Sequence, residues 1–249
     1  MTGTTRLEMM TTMRLRILAP LVLLFASGCT AHYTTPGGPA RLGDINRADV
    51  ADAMSRQPSP HFPANIVVVR VQAPEYTSMT ASGIGEGNYT VVTVSEAQAD
   101  EPLEPVGAWP SVAQTTPISR LLLPSKLESL EDLRLPAAKL QADILLVYTV
   151  DTAFRVQGRD YGPLSVLSLG LVPDRDAHVT ATASAVFTDV RTGYTYGTAE
   201  ATAKASGLAS VWTTEETVDA KRIEAEKDAL AQLVTAAAKT WDGILARYQ

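Results

Sequence analysis

Apolar and polar positions along the chain switch between two periods, and that alternation predicts its elements. Asn65 to Gln72 (NIVVVRVQ) is a continuous β-branched run between Pro63 and Pro74, the pattern of a strand buried on both faces. A second strand is expected over Tyr89 to Ser95, after the glycine-rich turn Ser82 to Asn88. Ser125-Lys126-Leu127-Glu128 has the form of a helix capping box, followed by Leu127, Leu130 and Leu133 at helical spacing, with Pro136 breaking the helix or starting another. Ala142 to Val150 (ADILLVYTV) is the most apolar strand and should sit at the centre of a sheet. Ala177 to Thr192 and Tyr194 to Ala205 read as a long hairpin turning at Asp189-Val190-Arg191-Thr192-Gly193. One face of that hairpin is nearly all alanine, so a helix should approach it closely. Glu215 to Tyr248 supplies the helix, with Val218, Ile223, Leu230, Leu233, Ala237, Trp241 and Ile244 on one stripe and a Thr213/Glu216 capping box at its start. These elements predict an α/β (α+β) domain: a mixed sheet with a long C-terminal β-hairpin, packed by a long C-terminal helix and one or two shorter helices.

The N-terminal stretch follows a different logic. Arg14 and Arg16 precede an apolar segment, Ile17 to Phe25, which ends in Ala26-Ser27-Gly28 before Cys29. Charge, apolar run and small residues in that order make a secretory signal over residues 1 to 28. The apolar part is about half of the roughly 20 residues a membrane-spanning helix needs, and Pro20 interrupts it. Met13, which opens MRLRIL, is the expected start. Residues 29 to 64 contain Pro36-Gly37-Gly38-Pro39 and later Pro58, Pro60 and Pro63, the composition of a partly extended tether, and the single domain is expected over 65 to 249.

LVLLFASGC, Leu21 to Cys29, resembles the lipobox of bacterial lipoproteins, in which the cysteine is diacylated and becomes the acylated N-terminus. The resemblance implies lipidation at Cys29 and insertion in the bilayer through three acyl chains. At roughly 0.8 kcal/mol per buried methylene, three chains far exceed what stable anchoring requires. Thr30 follows the cysteine, where lipoproteins held at the inner membrane often have Asp, which implies the outer membrane facing the periplasm.

Between Gln157 and Asp176 polar ends flank PLSVLSLGLVP, Pro163 to Pro173. This run is too short for two membrane-crossing strands. It reads as a flap over the core or as a partner surface through Leu164, Val166, Leu167, Leu169 and Leu171. Tyr194 and Tyr196, assigned by alternation to the polar face of the hairpin near Arg191, are further candidates for partner contact, against a plainer role in steadying the strand pair.

Composition narrows the chemistry. The formal charge is −6, and loss of the leader removes more arginine than glutamate, so the remainder is more acidic still. An acidic surface disfavours a nucleic-acid partner. One cysteine rules out an intrachain disulfide. The glycines at 83, 85 and 87 do not make a dinucleotide fingerprint, because Asn88 stands where a further glycine is required and a strand follows. His32, His61 and His178 are scattered, and Asp174-Arg175-Asp176 lacks the spacing of a calcium loop. No nucleophile elbow or phosphate loop occurs, so no catalytic residue, metal or other cofactor is expected.

The order of a NIVVVRV strand, a helix feeding ADILLVYTV, a hairpin turning at DVRTG and a terminal amphipathic helix resembles the periplasmic α/β domain shared by CsgG, LpoB and the N-terminal part of TolB. That resemblance implies a fold without a catalytic motif, and partners among envelope proteins. AHVTATASAVFTDVRTGYTYGTAEATA with LASVWTTEETVD is more faintly similar to rhombotarget lipoproteins, named for a C-terminal glycine-containing tail cut by a rhomboid-type protease. Leu245 to Gln249 does not match such a tail, so that processing step is not carried over. The function expected is a non-enzymatic binding or assembly module of the cell envelope, with an as yet unidentified envelope protein as partner. The alternative is a subunit of an oligomeric, CsgG-like secretion assembly.

Overall fold

Two apolar runs paired in parallel, Ile66 to Val69 and Ile144 to Val147, set the middle of the sheet. The computed structural model describes residues 32–34, 38–41, 50–77, 82–93, 101–158, 175–209 and 214–249. In chain order the strands are β1 (His32–Thr34), β2 (Ala64–Gln72), β3 (Glu86–Gly87), β4 (Thr90–Val92), β5 (Val112–Pro117), β6 (Lys126–Leu127), β7 (Ile144–Gly158), β8 (Arg175–Asp189) and β9 (Thr195–Ala209). The helices are α1 (Val50–Ser55), α2 (Glu131–Lys139) and α3 (Thr214–Tyr248). The main sheet runs β4-β2-β7-β8-β9, with β5 also on β2 and β1 also on β7. β2 pairs parallel with β7 and β5, while β7-β8-β9 is antiparallel, so the sheet is mixed.

Ala142 to Val150 is buried throughout and lies between β2 and β8, the central position its composition predicts. Alternate residues of β2 and β7 feed two cores. Ile66, Val68, Ile144, Leu146 and Tyr148 face α3, whereas Val67, Val69, Val71, Leu145 and Val147 face α2 and its neighbouring loops. The alanine face is where α3 packs: Ala177, Ala181, Ala183, Ala199, Ala203 and Ala205 are buried with Leu230, Leu233, Trp241 and Ile244. A β-carbon added at Gly197 would lie 2.9 Å from Thr240 Cγ2, so the absence of a side chain there sets how closely helix and strand approach.

Four expectations shift. By their proline and acidic residues, 99 to 117 are expected as a surface excursion, but Glu101–Ala108 is a 3₁₀ helix and β5 joins the sheet on β2. Trp109 enters the α3-side core, stacked on Trp241 and tilted against Phe187, each with ring centroids 6.3 Å apart. The capping frame also moves. Lys126–Leu127 pairs with Glu86–Gly87 instead of starting a helix, and Asp132 Oδ2 accepts from the amides of Glu128 and Ser129 at 2.8 Å. α2 then runs unbroken through Pro136. The glycine cluster, expected as a hairpin turn, connects the antiparallel β2 and β4 but also contributes β3. Ile223, placed on the buried stripe of the last helix, is 40% exposed.

The stretch read as tether is docked at several points. β1 pairs antiparallel with the far part of β7, His32 opposite Arg155 and Thr34 opposite Ala153. Further on, the Ala40 amide donates to Thr149 Oγ1 at 3.1 Å, and the Ala73 amide donates to Gly38 O at 3.2 Å. Thr149 Oγ1 in turn donates to Gln72 Oε1 at 3.0 Å, so a buried network seats this segment. Thr213 and the residues before Cys29 lie outside the described residues.

Candidate functional site

The densest polar constellation among the described residues gathers at one end of the sheet, around the turn from β8 to β9. Asp189 closes β8 and is fully buried. Its Oδ1 accepts from the amides of Arg191 (2.8 Å) and Thr192 (2.9 Å), the hydrogen-bonding habit that makes aspartate a turn-former. Its Oδ2 accepts from the Tyr196 hydroxyl at 2.6 Å and from the Ser59 amide at 2.8 Å. Gly193 completes the turn at φ +71°, a left-handed conformation that costs glycine nothing.

These contacts fix the charge state. Burial pushes the Asp189 carboxyl upward, but the hydrogen bonds from Tyr196, Thr192, Ser59 and Arg191 outweigh it and hold the group below the usual carboxylate range. Tyr196 shifts the other way, raised first by burial and then by the hydrogen bond its hydroxyl donates to Asp189.

Asp143, at the entry to β7, lies beside it. Its Oδ2 accepts from the Asn65 amide at 3.0 Å, and its Oδ1 is 3.5 Å from the Arg191 guanidinium and 3.9 Å from His61 Nδ1. Arg191 also reaches His61 Nδ1 at 2.8 Å, so the imidazole acts as acceptor there. Two further arginines tie the turn down from outside. Arg134 donates to Val190 O at 3.0 Å and to Arg191 O at 2.6 Å, and Arg56 donates to Gly193 O at 3.2 Å. Glu131 pairs with both.

Chemically this arrangement holds Asp189 ionised and turns oxygens of both carboxylates to backbone donors. Among the described residues, neither a hydroxyl nor a thiol nucleophile is hydrogen-bonded to His61, and no group of three His, Cys, Asp or Glu is placed to hold a metal ion. The cluster is an organised turn with His61 (60% exposed side chain) and Arg191 (53%) on its outer side.

Tyr194 and Tyr196 belong to this end, but on the other side of the sheet from that expected. Thr188 pairs with Thr195 and Phe187 with Gly197, so Tyr196 is the extra residue of a β-bulge. A bulge re-aims the side chains around it. Both rings meet Tyr248 of α3, Tyr194 through a 3.0 Å hydroxyl contact and Tyr196 with ring centroids 5.2 Å apart. Cys29 and the apolar residues Leu164, Val166, Leu167, Leu169 and Leu171 lie outside the described residues.

A second polar group is buried between sheet and helix. Glu226 on α3 accepts from Thr152 Oγ1 at 2.9 Å and from Arg222 at 3.1 Å, and lies 3.7 Å from Arg70 on β2. Arg222 also engages Asp219 at 2.8 Å. Burial opposes the charge on Arg222, but Glu226 and Asp219 more than offset it and raise its pKa. Arg70, Arg222 and Glu226 are 3%, 6% and 3% exposed. Arg70 had a sequence signal, a lone charge within a β-branched run. The others sit at helix positions where a charge normally marks the solvent face.

No protein-family model matches the chain, and no curated protein matches it. Among solved structures it is similar to a candidate lipoprotein from Caulobacter crescentus, with 10% identity over 47% of this chain and 81% of that one at a TM-score of 0.27. It is also similar to a Xanthomonas campestris protein of the DUF330 family, with 14% identity over 76% and 94% at a TM-score of 0.35. The lipoprotein GNA1162 from Neisseria meningitidis matches at 15% identity over 64% and 94%, with a TM-score of 0.30. Among the described residues no helix is long and apolar enough to cross a membrane.

Proposed function

We propose that the chain is a bacterial envelope lipoprotein, acylated at Cys29, which acts as a non-enzymatic binding or assembly module on the periplasmic side of the outer membrane. One observation carries this reading: a signal-like leader that ends in LVLLFASGC, with the cysteine that would take the lipid unique in the chain. The apolar residues Leu164 to Leu171 and the Tyr194/Tyr196 end of the sheet are the surfaces assigned to an envelope partner. Metabolic labelling with palmitate and fractionation test the anchor. Wild type takes up label and stays with membranes through an alkaline wash, whereas Cys29→Ala loses the label and becomes soluble; a wild type that washes off sinks the reading. Recovery of a partner with and without residues 163–173 tests the binding role of that segment, and unchanged recovery removes it.

A second reading, a subunit of an oligomeric secretion assembly, draws support from β9. Its outer edge pairs with no strand among the described residues over 15 residues, and an open edge can template pairing with another chain. Light scattering of the acylated protein in detergent decides it, and a monomer at every concentration removes it.

A further inference from the structure

The distance from the lipid to the fold is set by where the chain first joins the sheet. Residues 29 to 64, if free, would reach over 100 Å at about 3.5 Å per residue. β1 shortens that leash to Thr30 and Ala31, because His32 is already paired with Arg155. Consecutive Cα atoms are about 3.8 Å apart, so the Cys29 Cα lies within roughly 11 Å of that of His32 by any path.

Arg155 is three residues from the end of β7 at Gly158. β8 starts at this end and runs 15 residues to Asp189, roughly 46 Å from first Cα to last at about 3.3 Å per step. The outermost cross-strand row here is Gly158, Arg175 and Ala209, and the next brings together Gln157, Asp176 and Leu208. Leu208 is 57% exposed, with its apolar side chain outward. α3 runs back along β9 from this same end, since Gly207 lies beside Thr217 and Lys221 while Gly197 lies beside Thr240.

We propose that the domain rests end-on against the phospholipid leaflet that holds its acyl chains. The Arg155–Gly158 and Leu208 end lies at the headgroups, and the turn with Asp143 and Asp189 points away into the periplasm. The proposal rests on lipidation at Cys29. It replaces a body swinging on a long spacer by one of fixed polarity, whose membrane-distal surface is the organised turn.

The test uses the mature acylated protein, in which Cys29 is blocked by lipid, so that an introduced cysteine can be labelled alone. Leu208→Cys and Lys139→Cys, the latter at the Asp143 end, are each labelled with a nitrobenzoxadiazole dye. Both are reconstituted into phosphatidylethanolamine/phosphatidylglycerol vesicles that contain a headgroup-region nitroxide lipid. Quenching needs near contact and the labels are separated by most of the strand length, so the Leu208 label should lose about half its intensity and the Lys139 label almost none. Ser206→Cys, exposed on the same strand, replaces Leu208→Cys if that variant misfolds. Vesicle flotation is measured first. Protein that fails to float overturns the anchor and the proposal with it. Protein that floats with equal quenching at both labels, with quenching at Lys139 alone, or with none at either overturns the orientation while leaving the anchor standing.

Discussion

The Tyr196 hydroxyl donates to Asp189 Oδ2 at 2.6 Å, coupling a β-bulge in one strand to the carboxylate that shapes the turn before it. Three backbone amides, from Ser59, Arg191 and Thr192, complete the set of donors. Asp189→Ala leaves buried donors without an acceptor, at about 1–3 kcal/mol for such a loss. Urea unfolding should therefore show a midpoint lowered by about 3 kcal/mol-equivalent at constant slope. Tyr196→Phe removes one donor and leaves three, so its cost should be nearer 1 kcal/mol. Equal costs for the two variants would show that the hydroxyl, and not the turn amides, is what Asp189 serves.

The same carboxylate predicts an acid limb. Its native pKa is depressed, so the stability it adds is fully present above the unfolded-state value near 3.9 and is lost as the pH falls through the lower native value. The stability difference between wild type and Asp189→Asn should be flat from pH 7 to about 5 and shrink below about 4. Urea titrations across that range measure it, and a difference that grows towards acid contradicts the assignment.

Glu226 stands between Arg222 and Arg70 with both guanidinium groups buried. Removing it by Glu226→Ala leaves two buried cations short of an anion and should destabilise by about 3–5 kcal/mol. Replacing the group together, Arg70→Met, Glu226→Leu and Arg222→Met, should cost much less or stabilise, because the desolvation of all three charges disappears with them. Thermal melts of single and triple variants separate the outcomes. A triple variant as unstable as the single one would mean that the charges also hold the register of α3 on the sheet.

Ala183 is fully buried on the face that α3 covers. Ala183→Leu inserts volume where helix and sheet approach closely and should cost about 1–3 kcal/mol, the range for overpacking a filled core. Ser184→Leu, one residue on and facing away from the helix, should leave the melting temperature nearly unchanged. Similar losses at both sites would place the helix on the wrong face.

Period and composition made the main sheet, the alanine face and the terminal helix legible, because each carries its own burial pattern over many residues. What was not legible depended on pairing between distant segments. Ser125-Lys126-Leu127-Glu128 and Ser129-Leu130-Glu131-Asp132 fit the same capping pattern. The second starts the helix because the first gives Lys126 and Leu127 to β3. β5 has no apolar alternation to announce it, since it gains its place through backbone pairing with β2. The bulge at Tyr196 adds one residue and reverses the face that alternation assigns to everything before it. Asp189 was visible as a turn residue. Its burial, and its link to Ser59, required the fold.

Trp241 in α3 is fully buried, with Phe62, Trp109 and Phe187 around it at 5.9 to 6.3 Å. Four well-separated segments must therefore meet before this aromatic centre can close. Until α3 docks, the larger core lacks its lid, so the interior of one whole side of the sheet is completed in a single closing step.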